Sequence, residues 1–186
     1  SAHFDTKDEI LNINKFLKRL NYLLNKKFIS ILSIKKRNEK FHSRYSAKAR
    51  IYQYIIFNRE SVPALNKNRG WHIKKKINLE NIKKGAKFLI GKRDFSTFRA
   101  SACSAKSPIR TLEKVNILKK KNEIFIEFKS RSFLQTQVRS MVGCLKYLGE
   151  GKWNFKKFKN VTLSKKRTLC APPAPPHGLF LEKVIY

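Results

Sequence analysis

The sequence predicts an α+β protein: a ferredoxin-like β-α-β-β-α-β unit over residues 41–186, preceded by an incomplete half-unit over residues 1–40. Three observations carry this reading. Ile124, Ile126 and Phe128 alternate with Phe125, Glu127 and Lys129, the signature of a strand with one buried face. Two helix-length apolar patterns, Leu79 to Ile90 and Leu134 to Gly149, flank the hairpin to which that strand belongs. Runs rich in aromatic and β-branched residues, Arg50 to Asn58 and Leu179 to Tyr186, stand at the two ends of the unit.

In the opening half-unit, Ala2 to Asp5 reads as the end of a strand. Thr6 and Glu9 have the spacing of a capping box, in which each side chain satisfies a backbone N–H at the start of a helix. Ile10, Ile13, Leu17, Leu20 and Leu24 then recur at helical spacing, and Lys26 and Lys27 suit the negative end of the helix. Asp8 falls in its first turn. Phe28 to Ile34 reads as a buried strand. Strand, helix and strand make only half of a compact unit and would leave apolar surface uncovered.

Phe41 to Ala49 (FHSRYSAKA) is a basic loop. After the Arg50–Asn58 strand, a turn-rich stretch through Pro63 and Gly70 leads to the first helix. Asn78 is its expected N-cap and Gly91 the residue that ends it. Asp94 to Arg110 (DFSTFRASACSAKSPIR) lacks any period and is expected to be a long ordered loop, with Asp94 bonding nearby backbone N–H groups. A hairpin follows, Thr111 to Leu118 and Ile124 to Lys129, about a Lys121–Asn122 turn. Beyond the second helix come a basic patch through Lys159, a proline-rich loop (APPAPPHG, Ala171 to Gly178) and the last strand. Two helices then cover one sheet face and leave the other to meet a ligand or a second sheet.

Forty-three lysines and arginines against 12 acidic residues give a net charge of +31, so polyanions are the first partners to consider. Lysine outnumbers arginine, and Asn and Ile are abundant, so part of the charge reflects A/T-rich coding. No apolar run reaches the roughly 20 residues needed to cross a bilayer, and no membrane partner is expected. Cys103, Cys144 and Cys170 are odd in number and widely spaced, which suggests reduced thiols in a cytosolic protein. The four histidines show no metal-ligand spacing. Only Asp5, Asp8 and Asp94 are aspartates, and no carboxylate pair for acid–base work is visible. Composition alone describes a basic RNA- or DNA-binding fold.

Four blocks add to this. FHSRYSAKARIYQYIIFN, DFSTFRASACSAKSPIRT, SFLQTQVRSMVG and APPHGLFLEKVIY resemble, in order and spacing, successive blocks of the tRNA pseudouridine synthase A (TruA) family. The resemblance implies a pseudouridine synthase fold and isomerisation of uridine to pseudouridine in the tRNA anticodon arm. It implies no metal or cofactor, a cytoplasmic setting, and a homodimer of two ferredoxin-like halves around a basic cleft.

Residue by residue, Tyr52 matches the family tyrosine that packs against the target base, with Tyr54 second by strand parity. An aromatic ring suits a flipped base. Arg139 matches the arginine that pairs with the catalytic aspartate; alone, it would read as a helix arginine snorkelling to solvent. Arg44, Arg50, Arg99, Lys106 and Arg110 lie in matching basic loops as phosphate contacts. The nucleophilic aspartate belongs to a GRTDAGVHA-like segment just ahead of the part that SAHFDTK resembles, and no such segment occurs here. Asp5 lies past that position. The expectation is therefore an N-terminally truncated chain, inactive by itself. Gln135 stands where many family members carry His. The alternative reading is a non-catalytic basic RNA-binding module.

Overall fold

A computed structural model describes residues 1–186. The chain divides into two compact units, Ser1–Ser46 and Ala47–Tyr186.

In the first unit the helix is shorter than its apolar spacing predicts. Helix α1 spans Ile13–Leu24, and Asn12 caps it by accepting from the Lys15 N–H at 2.9 Å. The Thr6–Glu9 capping box does not form. Glu9 instead pairs with Lys36 at 2.9 Å, and Asp8 lies in a bend ahead of the helix. Ala2 to Asp5 and Phe28 to Ile34 are not strands. A strand needs a ladder partner, and none is present. The Asn21 side chain takes both backbone groups of Ile31, accepting at 2.7 Å and donating at 2.9 Å. Phe28 turns into the left-handed region (φ 57°) and is fully exposed.

The second unit is built on one mixed sheet. Strand β1 (Ala49–Asn58) is its centre, flanked by antiparallel β5 (Glu123–Ser130) on one side. On the other side β1 pairs antiparallel with β6 (Leu179–Ile185) along its first half. Its last residues, Ile56–Asn58, pair in parallel with the short β2 (Trp71–Ile73). Strand β4 (Ile109–Lys120) lies beyond β5, and β3 (Gly91–Asp94) edges the sheet. Leaving out β2 and β3, the spatial order is β6-β1-β5-β4, with helix α2 (Leu79–Leu89) between β1 and β4 in sequence and helix α3 (Gln137–Gly149) between β5 and β6. This is the predicted β-α-β-β-α-β order.

The alternation in β5 orients the sheet. Ile124, Ile126 and Phe128 are fully buried and sit opposite Ile56, Tyr54 and Tyr52 of β1. Burial of each such side chain contributes about 1.5–3 kcal/mol. α3 lays Val138, Met141, Val142, Leu145 and Leu148 into the same core, and α2 adds Ile82, Ala86 and Leu89. Asn78 caps α2 by accepting from the Asn81 N–H at 3.0 Å, and Gly91 ends it at φ +112°, a conformation costly for any other residue.

Three elements depart from the sequence reading, the first being β2, which closes the turn-rich stretch. The basic patch through Lys159 is a helix, α4 (Phe155–Leu163), capped by Asn154 and burying Phe158 and Val161 one turn apart. Its lysines dilute the apolar pattern. The Asp94–Arg110 segment begins in β3, makes a single 3₁₀ turn at Ser96–Phe98, and only then becomes irregular. Asp94 does bond the Ser96 N–H, at 2.8 Å.

Candidate active site

Arg139 and Tyr54 converge on the proline-rich loop. Arg139 leaves α3 half-buried, and its Nε donates to the Ala174 carbonyl at 2.6 Å. The Ala174 N–H returns a bond to the Arg139 carbonyl at 3.0 Å. One residue further, the Pro175 carbonyl accepts from the Tyr54 hydroxyl at 2.7 Å. Arg139 therefore does not snorkel freely. Its Nε is fixed, and its two Nη groups make no hydrogen bond within the chain. A guanidinium held in this way keeps a two-pronged face for a carboxylate.

The loop is pressed closely onto α3. A Cβ at Gly143 would collide with the Pro172 carbonyl oxygen, so the backbones meet where only glycine fits. Tyr54 is fully buried. Burial pushes its phenol well above the ordinary range, while the Arg139 cation pulls the other way.

Tyr52 shares the helix-covered face of β1 with Tyr54, but stays half-buried. Its ring meets that of Phe133 edge-on, with centroids 5.3 Å apart. The hydroxyl of Tyr54 is thus engaged in packing, whereas Tyr52 is supported by an aromatic neighbour and keeps surface exposed.

The irregular loop meets the start of α3. The Ala100 N–H bonds the Gln135 carbonyl at 3.1 Å. Thr136 precedes the helix at φ 67°, a strained left-handed conformation for a β-branched residue. Arg99 braces the loop from within, one Nη donating to the carbonyls of Cys103 (2.6 Å) and Ala105 (2.7 Å). Arg110 bonds the Ser107 and Ile109 carbonyls, and Arg50 the Arg131 carbonyl at 2.6 Å. Lys106 is exposed. Arg44 belongs to the first unit, where its guanidinium lies over the Tyr45 ring at 5.8 Å. Sequence reasoning missed the Ala174 and Pro175 carbonyls that hold the two side chains. The only signal for them was the pair of Pro-Pro dipeptides, which stiffens the loop.

No group of His, Cys, Asp or Glu side chains is arranged to hold a metal. No helix is long and apolar enough to cross a membrane.

A family model described as tRNA pseudouridine synthase matches residues 86–186, a span containing Arg139, the irregular loop and the proline-rich loop. The chain is 66% identical over 186 residues to the tRNA pseudouridine synthase A of Pelagibacter ubique (strain HTCC1062), covering 100% of this chain and 76% of that protein. It is 46% identical over 158 residues to the protein of the same name from Bartonella tribocorum, covering 85% of this chain and 64% of that one. The Neorickettsia sennetsu protein of that name is 40% identical over 184 residues, covering 99% and 75%. The chain thus spans 64–76% of the length of these relatives.

Proposed function

Because the chain belongs to the tRNA pseudouridine synthase family, we propose that it serves to isomerise uridine to pseudouridine in the anticodon arm of tRNA. The observation that carries this reading is Arg139, fixed through Nε alone within the span that the family model matches. In this role Arg139 keeps the nucleophilic carboxylate ionised and oriented, since a fixed cation favours the charged form. The target uridine leaves the base stack before its glycosidic bond is broken and remade, and the half-buried Tyr52 ring packs against it. In the second unit Arg50, Arg99, Lys106 and Arg110 serve as phosphate contacts, Arg99 chiefly by holding its loop in shape, and Arg44 serves as a phosphate contact of the first unit. The setting is cytoplasmic, the working form is a homodimer, and no cofactor takes part.

The nucleophile is an aspartate of the kind found in the family's GRTDAGVHA-like segment. None of the three aspartates in these 186 residues fills that place. Asp94 is taken up by Ser96 and Lys165, and Asp5 and Asp8 are exposed in the first unit. These residues alone then bind tRNA without converting it. A second reading, resting on the net charge of +31, is a non-catalytic basic RNA-binding module.

One experiment separates the two. The chain is extended at its N-terminus by the family's aspartate-bearing segment, and pseudouridine is measured in a tRNA transcript. Conversion in the anticodon arm supports the enzyme. Tight tRNA binding without conversion gives the module the lead.

A further inference from the structure

We infer that Cys144 and Cys170 form a peroxide-reactive dithiol that closes to a disulfide between α3 and the segment leading into the proline-rich loop. Their sulfurs lie 3.5 Å apart and neither is in a disulfide. Cys144 is fully buried on α3 and Cys170 is half-buried, so a small oxidant reaches Cys170 first. The surroundings divide the pair into an attacking and a resolving thiol. The two sulfurs share a hydrogen bond that either thiol can donate, and this contact holds the Cys170 thiol below the ordinary range; Arg167 and Ser140 add to this, against the effect of burial. Arg167 is itself anchored on the Ser140 hydroxyl at 2.9 Å. The same sulfur–sulfur bond and burial push Cys144 far up, so it remains the proton-bearing partner.

The chemistry balances with a hydroperoxide as oxidant. The Cys170 thiolate attacks one peroxide oxygen: an S–O bond forms, the O–O bond breaks, and the departing hydroxide takes a proton to become water. Cys170 is now a sulfenic acid. The Cys144 sulfur attacks it, the S–S bond forms, the S–O bond breaks, and the Cys144 proton leaves with hydroxide as a second water. Two thiols and one hydrogen peroxide give one disulfide and two waters.

Closure to the roughly 2.05 Å of a disulfide requires the sulfurs to approach by about 1.5 Å. Cys170 follows a one-turn 3₁₀ helix, Arg167–Leu169, outside α3, so the approach falls on the loop side rather than on the helix. The link would join the two segments already tied by Arg139 and Ala174, four residues beyond Cys170. Oxidation therefore fixes the loop that holds Arg139 and Tyr54.

The test treats the full 186-residue chain with one equivalent of hydrogen peroxide, then alkylates it and maps its peptides without reduction. The expected product is a Cys144–Cys170 cross-linked peptide, lighter by two hydrogens and restored by dithiothreitol, with Cys103 outside the link. In Cys144→Ser, a dimedone adduct should collect on Cys170. The proposal is overturned if Cys170 passes to sulfinic acid with no cross-link, or if dimedone labels Cys103 and leaves Cys170 unmodified. The wild-type cross-link decides the matter even if the variant fails to fold.

Discussion

Arg139 and Tyr54 are held by consecutive carbonyls of one loop, Arg139 Nε on Ala174 and the Tyr54 hydroxyl on Pro175, at 2.6 and 2.7 Å. The loop thus joins helix α3 to strand β1 and sets the direction of the guanidinium. Each bond contributes roughly 1 kcal/mol or more, and more where the donor is charged.

Arg139→Ala, in a protein carrying the aspartate segment, should cut turnover by about 100-fold or more, the order seen when a fixed charge beside a reacting centre is lost. Binding of tRNA should change by only a few fold. Single-turnover rates and a filter-binding titration on the same preparation check both. Arg139→Lys should rescue little, since an ammonium cannot make the Nε bond and present a fork at once.

The two tyrosines should separate cleanly. Tyr54→Phe leaves the half-buried Pro175 carbonyl without its donor and should cost about 1–3 kcal/mol of stability in urea unfolding. Tyr52→Phe should leave stability within about 0.5 kcal/mol and act on turnover instead. Equal effects on turnover and tRNA affinity at Tyr52 would assign it a structural role.

Tyr54 also gives a signed pH dependence. Its phenol is raised in the folded chain, so the unfolded chain loses that proton first. The contribution is fully present below the ordinary phenol value of about 10 and declines as pH rises toward the folded value. Stability measured across pH 8 to 11 (~8 to ~11, bracketing the free phenol) should fall less steeply in Tyr54→Phe than in the parent.

Gly143→Ala tests the loop–helix contact. Alanine favours a helix by about 1 kcal/mol over glycine in an open position. Here its methyl would strike the Pro172 carbonyl oxygen, part of the backbone. Overpacking of this kind costs about 1–3 kcal/mol, so the net change should be a lower Tm. A higher Tm would mean that the loop yields easily.

The second unit was legible because its signals are local. Period-2 alternation in β5, the Asn78 cap and the Gly91 stop each act within a few residues, and together they specify the β-α-β-β-α-β order. The first unit was misread for the opposite reason. Phe28 to Ile34 has strand-like composition, but a strand depends on a partner, and Asn21 supplies Ile31 with its hydrogen bonds instead. Glu9 likewise satisfied a spacing rule yet found Lys36. At the site, Arg139 and Tyr52 were singled out, as proposed roles, through motif resemblance. Their supports were not, because backbone carbonyls such as those of Ala174 and Pro175 leave no mark on residue identity.

Pseudouridine formed in the anticodon arm of a tRNA transcript, by the chain extended with the aspartate-bearing segment and by its Arg139→Ala variant, tests whether Arg139 supports the nucleophilic carboxylate. The expected result is conversion by the parent and a loss of about 100-fold or more in the variant, with tRNA affinity largely kept. No conversion by the parent, or parallel loss of conversion and binding in the variant, would contradict it.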